Sequence, residues 1–143
     1  MTPRSQRLQP LQQIASMRED EALRVLAGSQ KHAADHSQRL EELQRYIEDY
    51  SNAMPAQATP ALLGNRHAFL ARLREAEAHQ RNAVTQAQAN SELERARYLL
   101  KRRDSGTLEQ LAASYRTQER VHDERRAQKE LDEIALRRAF SKT

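Results

Sequence analysis

The feature that most constrains this chain is the near absence of residues that interrupt an α-helix. Only 3 Gly and 4 Pro occur in 143 residues, and the one stretch that holds two prolines close together is 52–60. Pro55 disfavours helical geometry in the residue before it and has no backbone N–H to donate. We therefore expect a first helix over about 8–54, a bend over 55–59 and a second helix over about 60–140, with Thr59 as its cap and Pro60 as its first residue.

The rest of the composition agrees with an extended helical chain. Charged residues make up 31% and aromatic residues only 4%, so a thick hydrophobic core cannot form. Ala, Leu, Glu, Gln, Arg and Lys, which lose little conformational freedom in a helix, dominate the sequence. The predicted fold class is all-α. We expect one elongated domain over residues 1–143, an antiparallel two-helix coiled-coil hairpin whose longer C-terminal helix overhangs.

The sequence lacks the motifs that would indicate secretion, a membrane span, catalysis or metal binding. There is no cysteine, no cleavable signal peptide and no apolar run near the roughly 20 residues that cross a bilayer, so we expect a cytoplasmic protein. No glycine-rich phosphate loop, metalloprotease motif or nucleophile elbow occurs, so we expect no enzyme, no cofactor and no small-molecule ligand. His32 and His36 form a possible metal half-site, but no matching carboxylates complete it, and we expect no metal.

Both helices carry residues at alternating three- and four-residue spacing, the pattern of a coiled-coil seam. In the first helix the pattern has one discontinuity near Ala22. Its predicted seam comprises Leu8, Leu11, Ala15, Arg18, Ala22, Leu26, Ser29, Ala33, His36, Leu40, Leu43, Ile47, Tyr50 and Met54. The second helix keeps one frame, and its predicted seam includes Leu63, Leu70, Leu73, Glu77, Gln80, Val84, Ala87, Ser91, Glu94, Tyr98, Lys101, Leu108, Ala112, Tyr115, Glu119, His122, Arg126, Lys129, Leu136 and Phe140.

The unequal helix lengths predict an unpaired C-terminal segment. With a bend near Gln57, Tyr46 lies opposite Phe69 and Leu8 opposite Thr107. Pairing then ends near residues 104–107, and the charge-rich segment from about residue 116 overhangs, either as a frayed end or as a surface that another protein covers. Gly106 predicts a soft point or a small kink in a continuous helix.

Apolar residues near the bend exceed what one seam needs. If Leu40, Ile47, Met54, Leu63 and Leu70 form the seam, other apolar side chains remain on its edge. They are Leu43, Tyr46 and Tyr50 on the first helix and Phe69, Leu73 and Ala76 on the second. They form either an exposed strip for a partner protein or a broad apolar face that stiffens the hairpin. The net charge of +4 is spread among interleaved acids and bases, which favours a solvated surface over a nucleic-acid partner.

At these residues the chain resembles the flagellar FliJ family, coiled-coil components of the type III export apparatus. The resemblance covers nearly the whole chain and follows segments that occur in order around the bend. They are Glu19-Asp20-Glu21-Ala22-Leu23, Leu43-x-x-Tyr46-x-x-x-Tyr50, Asn65-Arg66 with Phe69-x-x-x-Leu73-x-x-Ala76, and Gln128-Lys129-Glu-Leu-Asp132-Glu133-x-Ala135-x-Arg137-Arg138.

The resemblance implies a non-enzymatic stalk that inserts its termini into the pore of the hexameric export ATPase. It also implies binding to the cytoplasmic part of the membrane export gate protein, escort of export chaperones, and peripheral association with the inner membrane. The export-gate positions are Leu43, Tyr46, Tyr50, Phe69, Leu73, Ala76 and Gln80, where the family often has His in place of Gln80 and this chain has His79. The ATPase-ring positions on the overhang are Arg126, Lys129, Asp132, Glu133, Arg137 and Arg138. The stalk protein of a virulence-type secretion system and a basic coiled-coil nucleic-acid-binding protein are the alternatives.

Overall fold

The described residues form two long α-helices that pack against each other. The computed structural model describes residues 2–53 and 59–141. Helix α1 is Arg4–Asn52 and helix α2 is Pro60–Ser141, and the described residues contain no strand. The predicted all-α, two-helix hairpin is confirmed. The helices run antiparallel, because Gln80 contacts His36 while Phe69 contacts Tyr50.

Helix α1 begins at Arg4, earlier than the expected start near Leu8, and it contains Pro10. Proline cannot donate a backbone hydrogen bond, so the turn before Pro10 is poorly supported by the helix alone. The N–H of Arg7 donates to the carbonyl of Pro3 at 3.1 Å. Side chains of the first turn also contact α2, as described below. These tertiary contacts hold a turn that propensity alone does not predict.

Helix α2 starts as the sequence predicts. The N–H of Leu62 donates to the Thr59 hydroxyl at 3.2 Å, and the N–H of Leu63 donates to the Thr59 carbonyl at 3.0 Å. Thr59 is therefore the N-cap, and Pro60 occupies the first helical position. The helix continues through Gly106 without interruption. Most of the predicted bend, together with Met54, lies outside the described residues.

Contacts divide the chain into two compact units. Unit 1 contains Met1–Asp20 and Leu100–Thr143, and unit 2 contains Glu21–Leu99. Each unit contains a segment of α1 packed against a segment of α2. The expectation of one domain over residues 1–143 stays a prediction.

The seam of α1 differs from the predicted one near the N-terminus. Leu11 is 52% exposed and Arg18 is also exposed, whereas Gln12 and Glu19 are shielded. The predicted seam was therefore wrong at Leu11 and Arg18. The shielded face keeps a regular three- and four-residue spacing with no discontinuity near Ala22, because the helix maintains its rotation even where polar side chains must then enter the seam. This face comprises Ser5, Leu8, Gln12, Ala15, Glu19, Ala22, Leu26, Ser29, Ala33, His36, Leu40, Leu43, Ile47 and Tyr50.

The seam of α2 follows the predicted frame as far as Glu119. Leu63 is an exception, since it is half-exposed and the shielded face begins at Arg66. Beyond Glu119 the predicted members, including His122 and Leu136, are exposed. The shielded face comprises Arg66, Leu70, Leu73, Glu77, Gln80, Val84, Ala87, Ser91, Glu94, Tyr98, Lys101, Ser105, Leu108, Ala112, Tyr115 and Glu119.

The register between the helices differs from the expected one at both ends of α1. Phe69 contacts Tyr50 rather than Tyr46, and Ser5 bonds to Glu119. The expectation that pairing ends near residues 104–107 was therefore wrong. The end of α1 is not opposite the start of α2. The carbonyls of Tyr50 and Ser51 accept hydrogen bonds from Arg66, and residues 60–65 of α2 come before the first shielded residue. His36 and Gln80 stay within about one residue of the expected alignment, whereas Ser5 and Glu119 are clearly displaced toward the C-terminus of α2.

Candidate protein-binding surfaces

Unit 2 carries an aromatic surface formed by Tyr46, Tyr50 and Phe69. The rings of Tyr46 and Tyr50 are stacked with centroids 6.4 Å apart, and the Phe69 ring meets Tyr50 edge-on at 4.9 Å. Tyr46 is 51% exposed and Phe69 is 37% exposed, whereas Tyr50 is half-buried. Edge-on and offset-stacked rings attract each other. Tyr50 thus supports two exposed aromatic side chains that offer contact area to a partner.

Arg66 lies beside this surface and caps the C-terminal end of α1. Its guanidinium donates to the carbonyls of Tyr50 at 2.9 Å, Ser51 at 2.8 Å and Ala53, and it stands 5.5 Å from the centre of the Tyr50 ring. The last carbonyls of a helix have no partner within the helix, and a cation is favourable there. Because the last turn of α1 contains no basic residue, Arg66 from α2 supplies that charge.

The other predicted export-gate positions lie at or near the seam of unit 2. Leu43 and Leu73 are half-buried, and Ala76 is exposed. The Gln80 amide donates to the His36 carbonyl at 3.0 Å and lies 3.0 Å from the Nδ1 atom of the same residue. The neighbouring His79 is exposed. Glutamine at this position is therefore held by a cross-helix contact, and the histidine beside it faces solvent.

His32 and His36 come together on α1 as their spacing predicts. Their Nε2 atoms lie 3.1 Å apart, and their rings meet edge-on with centroids at 4.4 Å. Within residues 2–53 and 59–141, no group of three or more His, Cys, Asp or Glu side chains could hold a metal ion. The pair stays a half-site in the described structure.

In unit 1, a carboxylate from α2 caps the N-terminus of α1. Glu119 accepts a hydrogen bond from the Ser5 N–H at 3.0 Å and one from the Ser5 hydroxyl at 2.7 Å. These bonds stabilise the ionised carboxylate and lower the pKa of Glu119 below its usual range. Arg4 adds a second link, since its guanidinium stands 5.7 Å from the centre of the Tyr115 ring. The first turn of α1 has no acidic residue, so Glu119 supplies the favourable charge.

The C-terminal segment of α2, residues 120–141, is exposed at every position. Side-chain pairs along the helix link neighbouring turns: Arg126 lies 3.7 Å from Glu130, and Gln128 donates to Asp132 at 3.1 Å. Leu131 is 61% exposed and Ile134 is 49% exposed. All six predicted ATPase-ring positions therefore lie on a solvent-accessible helix with both charged and apolar side chains.

A groove of about 740 Å³ in unit 1 brings the start of the C-terminal segment close to the N-terminus of the chain. Its lining combines Arg4 and Arg7 with Tyr115, Glu119 and Arg126. Of the six predicted ATPase-ring positions, Arg126 lines this groove. This region presents basic side chains from both helices.

The aromatic surface and the C-terminal segment were predicted from different features of the sequence. Excess apolar spacing pointed to the aromatic surface, and the resemblance pointed to the ATPase-ring positions. Arg66 and Glu119 were missed as caps. The available signal was the absence of a basic residue in the last turn of α1 and of an acidic residue in its first turn.

Comparison with known proteins identifies a family. No described helix is both long and apolar enough to cross a membrane. Neither a curated protein nor a solved structure gives a significant match to the chain. A family model described as the flagellar FliJ protein matches residues 4–143. That match covers both helices, including the aromatic surface and the C-terminal segment, and the chain therefore belongs to the flagellar FliJ family.

Proposed function

We propose that this protein is a non-enzymatic stalk of the flagellar type III export apparatus. The C-terminal segment binds in the pore of the hexameric export ATPase, and the aromatic surface binds the cytoplasmic part of the export gate protein. The protein also escorts export chaperones. It works in the cytoplasm and associates peripherally with the inner membrane through the gate.

The observation that carries the ATPase assignment is the exposure of every residue in the C-terminal segment. A single helix is about 10–12 Å wide with its side chains, so it can enter a narrow pore that a helix pair cannot. Leu131, Ile134 and Leu136 are each about half-exposed or more, and a protein pore can cover them. Arg137 and Arg138 add charge that can pair with carboxylates on the ring.

The ATPase assignment is tested by charge reversal in the full-length chain. R137E/R138E should lose most of the stimulation of ATP hydrolysis that the unaltered protein gives to the purified export ATPase. Both residues are exposed, so helix content by circular dichroism should stay unchanged. R102E/R103E is the matched control, because it reverses two adjacent exposed arginines on the same helix outside the C-terminal segment. Normal stimulation by R137E/R138E would contradict the assignment.

The aromatic surface supports the gate assignment. Aromatic side chains contribute a large share of the binding energy in protein interfaces. Tyr46 and Phe69 leave 51% and 37% of their surface exposed although burial against their own chain would stabilise the fold. Both residues belong to the positions where the resemblance to the flagellar FliJ family implies export-gate binding, and this supports the gate as the partner of the exposed rings.

The gate assignment is tested with Y46A/F69A. This variant should bind the cytoplasmic part of the gate protein at least tenfold more weakly while it stimulates the ATPase normally, since a hot-spot truncation costs about 2 kcal/mol or more. L99A is a matched control, because Leu99 is a 50% exposed apolar residue of unit 2 outside the aromatic surface. Retained gate binding by Y46A/F69A would exclude this surface as the gate site.

A further inference from the structure

The position of Arg66 suggests a role beyond capping the C-terminal end of α1. One guanidinium contacts the carbonyls of Tyr50, Ser51 and Ala53 and also faces the Tyr50 ring. It therefore fixes both the backbone at the end of α1 and the ring at the centre of the aromatic surface. Tyr50 in turn contacts Tyr46 on one side and Phe69 on the other.

Exposure separates the side chains that can touch a partner from those that hold them. Tyr46 and Phe69 are the exposed members, at 51% and 37%. Tyr50 and Arg66 are half-buried and mainly contact their own chain. Arg66 faces the Tyr50 ring, and Tyr50 contacts both exposed rings, so Arg66 can influence a partner through Tyr50.

We propose that Arg66 is the residue that positions the aromatic surface for its protein partner before the partner binds. This inference rests on the proposed gate-binding function of that surface. Binding loses less free energy when side chains are already held in the bound arrangement, because fewer rotamers must be ordered. Arg66 holds the end of α1 and, through Tyr50, the three rings in one arrangement before a partner binds.

The chemistry of arginine fits this task better than that of lysine. The guanidinium is planar, so its Nη atoms reach several carbonyls while its face lies over an aromatic ring. A lysine ammonium keeps the charge at the helix end and can donate to carbonyls, but it lacks the flat surface. R66K should therefore preserve much of the helix end and still loosen the Tyr50 ring.

The first measurement needs no partner. In R66A, the near-ultraviolet circular dichroism of the tyrosines should fall, because Tyr50 and the stacked Tyr46 lose a fixed environment, while far-ultraviolet helix content stays close to normal. R66K should show an intermediate loss. R95A, which alters an exposed arginine of α2 in unit 2, should leave the tyrosine signal unchanged. An unchanged tyrosine signal in R66A would overturn the proposal.

The second measurement is binding of the full-length variants to the cytoplasmic part of the gate protein, by calorimetry. R66A should bind about tenfold more weakly, as expected when about two side chains must be ordered on binding. R66K should recover only part of that loss, and R95A should bind normally. Normal affinity in R66A, or complete recovery in R66K, would overturn the proposal.

A double-mutant cycle separates positioning from direct contact. If Arg66 acts through the rings, R66A should cost much less binding in the Y46A/F69A background than in the unaltered protein. Additive losses would overturn the positioning role. Failure of the unaltered protein to bind the gate would instead refute the proposed function, and the tyrosine signal would still test whether Arg66 fixes the rings.

Discussion

Leucines three residues apart on α1 give a direct test of the seam. Leu26 is 7% exposed and Leu23 is 47% exposed, and both lie in unit 2. A Leu→Ala change removes about three methylene-sized groups, each contributing about 0.8 kcal/mol when fully buried. L26A should therefore lower the free energy of unfolding by about 2 kcal/mol, near the lower limit for core leucines, because a two-helix seam borders solvent and can relax. L23A should cost about 1 kcal/mol.

The assay is equilibrium urea unfolding followed by far-ultraviolet circular dichroism. The helix-propensity change is the same in both variants, so the difference between them reports on packing. Because both leucines belong to the same unit, the same unfolding transition reports both losses. A loss in L23A equal to or larger than that in L26A would refute the assignment of the shielded face.

Further expectations concern the polar seam, the mid-helix glycine and the capping carboxylate. Q12L should raise the urea midpoint of unfolding, because it places an apolar side chain on the shielded face, whereas L11Q should change it little; the reverse order would favour the seam predicted from the sequence. G106A should stabilise α2 by about 1 kcal/mol, since an added Cβ would meet no described atom within 4 Å other than the nearby backbone of its own helix, and a destabilised variant would contradict the open helical environment. The lowered pKa of Glu119 means that its contribution to stability is complete above the pKa of an unfolded glutamate and is lost as the pH falls through the folded pKa. In E119Q, hydrogen exchange in the first turn of α1 should be faster at neutral pH, and the difference from the unaltered protein should shrink on acidification; a difference independent of pH would contradict the ionised cap.

The sequence was sufficient for the fold class and for most of the α2 seam. Leu70, Ala87 and Tyr115 belong to one heptad frame, and that frame predicted shielded polar residues such as Glu94 as well. In α1 the predicted seam contained the hydrophobic Leu11, whereas the shielded face contains Gln12, so the prediction departed from the heptad frame. A strict heptad extended backward from Leu26 would have placed Gln12 in the seam, because helix rotation is set by the whole face and not by one residue.

The register could not be predicted from spacing alone. Heptad frames of both helices are compatible with several alignments that differ by a turn. The alignment expected from a symmetric bend holds to within about one residue at His36 and Gln80 but fails at both ends of α1. Contacts made by Arg66 and Glu119 at opposite ends of α1 distinguish the observed alignment. Such contacts depend on long side chains that cross between helices, so local pattern carries little information about them. The export-gate and ATPase-ring positions stay predictions that binding experiments must test.

The small apolar content of the seam has a thermodynamic consequence. Among the described residues, the buried hydrophobic side chains are Leu26, Ile47, Ala87 and Ala112. The heat-capacity change of unfolding grows with the apolar surface that becomes exposed. This protein should therefore have a low heat-capacity increment for its length, and its stability should vary gently between cold and warm conditions, without the pronounced curvature of a thick-cored globular domain.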